Sequence, residues 1–284
     1  MARQIERTVR GTKQFDGAGV KLLRVLGLNT VKDFDPFLML DFFDSADPDD
    51  YTNGFPWHPH RGIETVTYLI EGEIEHGDSL NNKGSILPGS CQWMTAGSGI
   101  IHQEMPAAAE RMLGVQLWIN LPAKDKMTKP SYRNIKSSMI KKVEEENAKI
   151  AIISGKYKGV KGAIEGGYVK TLYLDVQVNP DSVWSADVKK NDTAFAFMIS
   201  GSCSFGGSEF IDAPAAVLLT KDEKIEVKSG RDGARFLLLS AKPLKEPVAW
   251  GGPIVMNTHD ELNNAFTELD QNTFIKEKHP EFKH

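Results

Sequence analysis

One ten-residue segment occurs twice in this chain, and it restricts the available folds more than any other feature. Tyr68-Leu69-Ile70-Glu71-Gly72-Glu73-Ile74-Glu75-His76-Gly77 matches Phe197-Met198-Ile199-Ser200-Gly201-Ser202-Cys203-Ser204-Phe205-Gly206, aromatic on aromatic and glycine on glycine. The offset from Gly72 to Gly201 is 129 residues. A spacing near the size of a domain predicts two copies of one fold, and 284 residues are enough for both.

The pattern around each copy predicts strands. Val20–Leu26, Phe37–Phe43, Ile63–Ile70, Glu73–His76, Cys91–Thr95 and Ile100–Met105 are short, rich in β-branched and aromatic residues, and separated by Gly, Asn or Pro turns. Phe37–Phe43 is apolar at nearly every position, which suits a strand covered on both faces. Pro59 restricts its segment to a sheet edge or a strand start. This spacing points to an all-β barrel or sandwich. Residues 122–130 are charged and bounded by prolines, so they read as a linker, and Lys141–Glu146 reads as a solvated strand or turn. The expected division is therefore 1–133 and 134–284. Near the end, Thr258 and Glu261 fit a capping box, and Leu262, Ala265, Phe266 and Leu269 recur at helical spacing, so one short C-terminal helix is expected. His259 then falls in its first turn.

Charge and cysteine content exclude several functions. The formal net charge is −4 and no basic run forms a nucleic-acid footprint, so any link to transcription would pass through another protein. Cys91 and Cys203 fall one in each half and supply no disulfide framework, which fits a reducing, cytoplasmic setting, or a nuclear one in a eukaryote. MARQIERTVRG lacks an apolar signal core, and no 18-residue apolar run occurs, so neither secretion nor membrane spanning is expected.

The chemistry concentrates between Phe55 and Met105. His58-Pro59-His60 and His102-Gln103-Glu104 each place two polar side chains at i and i+2, on one face of an extended strand. Side by side, the two strands would gather three imidazoles and one carboxylate. Such a set suits iron, manganese, nickel, copper or zinc. Glu104 sits in an apolar run, where a buried carboxylate needs a partner. His76 reads as a surface strand histidine. At the repeat offset His58 meets Asp187, His60 meets Lys189 and His76 meets Phe205, and no histidine lies between His102 and His259. The second copy is thus expected to lack a metal site.

The order His58, His60, Glu64, Gly72 resembles the first cupin motif, and Pro88, Gly97 and Gly99 precede His102 in place of the second. The fuller string HPHRGIETVTYLIEG…PGSCQWMTAGSGIIHQEMP, together with WGGPIVMNTHDELNNAF, resembles the pirin family over nearly the whole chain. That resemblance implies two cupin-type antiparallel β-barrels, a bicupin, with metal in the first one. It implies His58, His60, His102 and Glu104 as ligands, with Glu64 outside the set, and iron(II) as the metal, with manganese, nickel, copper, cobalt or zinc as alternatives. It further implies quercetin 2,3-dioxygenase activity on a flavonol-like substrate, with Glu104 as catalytic base, or else a non-catalytic, redox-dependent co-regulator that binds a transcription factor or metabolic enzyme. A monomer is expected. Trp57, Trp93 and Met105 are candidate walls for a flat aromatic ligand, against a role in the barrel core.

Overall fold

The computed structural model describes residues 2–277, 279, 280 and 282. Its described residues are mostly antiparallel strand, with a four-residue helix at Val31–Phe34, three 3-10 turns, and the expected C-terminal helix at His259–Asp270. Thr258 caps that helix by accepting from the Glu261 amide at 3.2 Å, while the Glu261 side chain accepts from the Thr258 amide at 3.0 Å. No described helix is long and apolar enough to cross a membrane.

The chain forms two compact units. The first comprises Thr12–Val31, Phe37–Ser137 and the segment from Leu244 onward. It contains a seven-stranded sheet and a four-stranded sheet. The larger runs in the order Ser131–Ile135, Cys91–Thr95, Ile63–Glu71, Met112–Asn120, Phe37–Ser45, Val20–Leu26, Thr12–Asp16. The smaller runs Phe55–His60, Ile100–Ala107, Glu73–Asp78, Lys83–Ile86. Strand Phe55–His60, with Pro56 and Pro59, lies at the edge of its sheet, where a missing amide breaks no ladder. The sheets remain separate and pack as a cupin β-sandwich. The closed barrels expected from the sequence are thus corrected to open layers, because the outermost strands of the two sheets do not pair with each other.

Apolar side chains from both layers fill the space between them. One cluster joins Val20, Leu22, Phe43, Tyr51, Leu69 and Met112 to Ile74 and Ile86. A second joins Leu38, Met39, Ile63, Met94 and Trp118 to Ile100.

The second unit comprises the N-terminal segment through Gly11, Lys32–Pro36 and Ser138–Pro243. Its nine-stranded sheet carries Ile5–Val9 at one edge, paired with Ala215–Leu219. Its core packs Trp184, Phe205 and Phe236 against Ile150, Leu174 and Val227. The repeated segment shares a left-handed glycine in both units: Gly72 and Gly201 sit at φ +95° and +72°, although Gly72 separates strands of two sheets and Gly201 lies within the single strand Thr193–Phe205. A side chain at either would be strained.

These units interleave along the sequence, so a single cut at 133/134 does not describe them. The first strand completes a sheet edge in the second unit, and the C-terminal segment is pinned onto the first. Arg61 makes one set of those pins: its guanidinium donates to Glu268 Oε2 at 2.6 Å and to the Phe274 carbonyl at 2.8 Å, and lies over the Phe274 ring. Gly62 has φ +78°, and a Cβ there would lie 1.9 Å from the Val255 carbonyl oxygen. Only glycine lets the tail approach this closely.

Lys126 corrects the linker reading of residues 122–130. Its ammonium is buried and donates to the carbonyls of Gly62 and Val255, both at 2.8 Å, and to Asn120 Oδ1. Burial pushes its pKa down to about 7, while the three oxygens match the three N–H donors of the charged form. Lys126→Met keeps the stem's packing but strands those acceptors. We expect it to cost about 3 kcal/mol, read as a lower melting temperature and faster amide exchange at Val255.

Candidate metal centre

Strand Ile100–Ala107 runs between Phe55–His60 and Glu73–Asp78. Across one edge His102 lies opposite His58, and across the other Glu104 lies opposite His76. The pairing with Phe55–His60 contains an irregularity between His102 and Glu104, so that Glu104 faces Phe55. This register gathers His58, His60 and His102, whose candidate ligand nitrogens all lie within 4.8 Å of one another.

Hydrogen bonds to backbone carbonyls fix the tautomers of two of these rings. His58 Nδ1 lies 2.8 Å from the Pro56 carbonyl oxygen, and His60 Nδ1 lies 3.1 Å from that of Pro253. A carbonyl only accepts, so each Nδ1 carries the proton and each Nε2 presents a lone pair. The two Nε2 atoms are 3.1 Å apart. Two lone pairs at that separation repel unless a cation lies between them. Two imidazole nitrogens bound at right angles to one metal, each about 2.1 Å away, would be about 3 Å apart.

The rest of the cluster fits a metal better than a proton. His60 and His102 are fully enclosed, and burial followed by the neighbouring imidazoles holds both well below the usual histidine range. Neither ring nitrogen of His102 has a hydrogen-bond partner. An orphaned buried polar atom costs about 1–3 kcal/mol, which a coordinate bond would relieve. The residues present therefore fit a transition-metal ion.

Glu104 is buried beside this cluster but is not one of the converging donors. Its Oε1 accepts from Thr67 Oγ1 at 2.9 Å and its Oε2 from Gln116 Nε2 at 2.6 Å. Trp118 Nε1 donates in turn to Gln116 Oε1 at 3.3 Å, and its indole lies edge-on to His60 at 5.0 Å between centroids. The carboxylate is thus held in place by two neighbouring strands, Ile63–Glu71 and Met112–Asn120. Glu64 is also buried, but it alternates with Thr65 and Thr67 onto the opposite sheet face, where Oε1 accepts from Thr95 at 2.8 Å.

Several sequence expectations change here. His76 is not a surface histidine: it is buried, 2.6 Å from Gln92 Nε2 through Nδ1 and 3.3 Å from Asp78 Oδ2 through Nε2. It stacks on Tyr132, with centroids 4.5 Å apart, and lies 5.6 Å from the His102 ring. None of the three suggested walls faces the histidines. Trp57 alternates with His58 and packs on Phe282, Met105 alternates with Glu104, and Trp93 alternates with Gln92. Trp118, Gln116, Thr67 and Gln92 take those places, and strand alternation was the signal that could have found them. In the second unit Asp187 ends strand Val183–Asp187, and no metal-ligand group occurs there among the described residues.

From this geometry we expect about one transition-metal ion per chain, measured by elemental analysis of the purified protein. His58→Ala and His102→Ala should each lose it, and two tightly held ions per chain would contradict the assignment.

Comparison with known proteins agrees with this architecture. The Pirin family model matches residues 19–119 and the Pirin C-terminal cupin domain matches residues 173–275. A Pirin-like protein of Caulobacter vibrioides is 41% identical over 275 residues, covering 96% of this chain and 99% of the relative. Among solved structures, quercetin 2,3-dioxygenase from Acinetobacter baumannii aligns with a TM-score of 0.88 and 27% identity, covering 96% of this chain and 99% of the other. The bacterial pirin YhhW from Escherichia coli, in complex with nickel(II), aligns with a TM-score of 0.65 over 84% of this chain and 98% of its own, and at 17% identity it shows the shared fold. With both halves matched and a relative at that identity over nearly its whole length, the chain belongs to the pirin family of bicupin proteins.

Proposed function

We propose that the chain is a quercetin 2,3-dioxygenase-type enzyme that holds iron(II) with His58, His60, His102 and Glu104. The convergence of imidazole lone pairs beside a buried, anchored carboxylate is the observation that carries this reading. Its likeness to a solved quercetin 2,3-dioxygenase supports the substrate class. Bound iron would supply the redox and Lewis-acid chemistry that couples dioxygen to an enolate-like substrate.

The chain's own residues supply the rest. The carbonyls of Pro56 and Pro253 hold the two imidazoles in the ligating tautomer. Gln116 and Thr67 hold Glu104 as a carboxylate with lone pairs to spare. Glu104 then accepts the proton of the flavonol hydroxyl beside the ring carbonyl, leaving an electron-rich ring. His58 is the half-buried member of the cluster, so substrate approaches from its side.

The test is aerobic loss of the quercetin absorbance band, with one dioxygen consumed and one carbon monoxide released per flavonol opened. Glu104→Gln should keep much of the iron and lose at least about 100-fold in rate, the scale of a missing general base. His102→Ala should lose both iron and rate. Bleaching by metal-free protein at the same speed would remove the activity from this site.

A second reading, a metal-dependent co-regulator that binds a protein, draws on the enclosure of His60 and His102, which leaves only the half-buried His58 toward a substrate. A redox-dependent adaptor must bind its partner with different affinity in its ferrous and ferric forms, about 1.4 kcal/mol for each tenfold preference. Pull-downs under reducing and oxidising conditions measure that difference. Equal recovery in both removes the switch, and absence of turnover on several flavonols with unequal recovery favours it.

A further inference from the structure

The hairpin that brings the Pro253 carbonyl to His60 is a small element. Its strands, Ala249–Gly251 and Ile254–Met256, form a separate two-stranded sheet, and a hairpin of that size is marginally stable by itself. Ile254, Val255 and Met256 are buried, which keeps the hairpin on the first unit. Apolar burial is non-directional, however, and does not fix where a single carbonyl points.

Polar contacts fix it. Residues 253–255 run parallel to His60–Gly62. His60 Nδ1 lies 3.1 Å from the Pro253 carbonyl oxygen, Arg61 and Ile254 form a parallel bridge, and the Val255 amide donates to the Arg61 carbonyl at 3.1 Å. Lys126 closes the far end of this seam. Its Nζ donates to the carbonyl of Gly62 on one side and to that of Val255 on the other, both at 2.8 Å, so one ammonium bridges the two chains. Asn120 Oδ1 takes the remaining hydrogen. Without the ammonium, two carbonyl oxygens would face each other in a buried site with no cation between them, and the seam would open. Val255 lies two residues beyond Pro253, so opening there withdraws the acceptor that orients His60.

We propose that Lys126 is a positioning residue of the metal centre: by clamping the hairpin to Gly62, it holds the Pro253 carbonyl against His60 Nδ1 and so keeps Nε2 as the ligating nitrogen. This role rests on the metal-binding part of the proposed function and not on the substrate. It also separates the two oriented imidazoles. His58 takes its carbonyl from Pro56, within its own strand, so only His60 should respond to the loss of Lys126.

Nitrogen-15 NMR of the imidazoles tests this on the full chain without metal, because protonated and unprotonated ring nitrogens resonate far apart. The unsubstituted chain should show His58 and His60 both protonated at Nδ1. In Lys126→Met, His60 should become a mixture of tautomers while His58 keeps its pattern. Zinc, a diamagnetic probe titrated against a competing chelator, should then bind at least about tenfold more weakly, the scale of a lost outer partner of a ligating histidine. Lys126→Gln returns amide hydrogens to the site and should show the same selective change in weaker form, which decides the matter if the methionine variant does not fold. Ile150→Ala, in the core of the second unit, gives the baseline for general destabilisation and should leave both imidazoles unchanged. An unaltered His60 in the Lys126 variants overturns the proposal, and so does a joint change of His58 and His60 that Ile150→Ala reproduces. Neither readout uses a flavonol. A selective His60 change in a chain that turns over no flavonol leaves the clamp standing and removes the dioxygenase reading.

Discussion

The candidate centre depends on the register of one strand. Ile100–Ala107 is paired on both sides, and its alternation sends His102 and Glu104 to the same face while Gln103 and Met105 face away. A slip of one residue would exchange those sets and destroy the cluster. The apolar clusters between the two sheets hold the register, because a one-residue slip would also turn Ile100 out of the core and Gln103 into it. The edge position of Phe55–His60 adds a second condition: its prolines are tolerated there, and the irregularity opposite His102 and Glu104 is accommodated without breaking a central ladder.

Around the three imidazoles lies a shell of orienting groups drawn from distant parts of the chain. Pro56 orients His58 locally, within the same strand. His60 is oriented by Pro253, nearly two hundred residues later, from a tail that Arg61, Gly62 and Lys126 pin in place. This gives the tail a role in the centre's electronic state, because the proton on His60 Nδ1 is what leaves Nε2 free. Glu104 is held by a hydroxyl and an amide, one hydrogen bond on each of its oxygens.

Much of the centre could be read before any coordinates. His58, His60 and His102 converge as the i, i+2 rule predicts, and Glu104 lies beside them. Strand runs such as Phe37–Phe43 and Cys91–Thr95, the capped helix after Thr258 and the matched Gly72 and Gly201 also follow from pattern and turn chemistry. The misplacements have particular causes. His76 read as exposed because alternation identifies a face but not what covers it, and Tyr132 and Gln92 cover it. Trp57 and Met105 were proximate in sequence to the ligands, yet the same alternation that gathers the ligands turns these neighbours away.

By itself the sequence determined the things that local stereochemistry controls: strand content, the two-copy plan, which copy carries the histidines, and which side chains share a face. The tertiary structure alone decided what depends on partners far along the chain. It set the sheets as open sandwich layers, placed Ile5–Val9 in the second unit and the C-terminal segment in the first, and enclosed Lys126 among three oxygens. It also built the hydrogen bonds that fix the imidazole tautomers and hold Glu104. Periodicity is a property of neighbouring residues and survives in the sequence. Hydrogen-bond partners and burial belong to groups that meet only when the chain closes, and no local pattern encodes them.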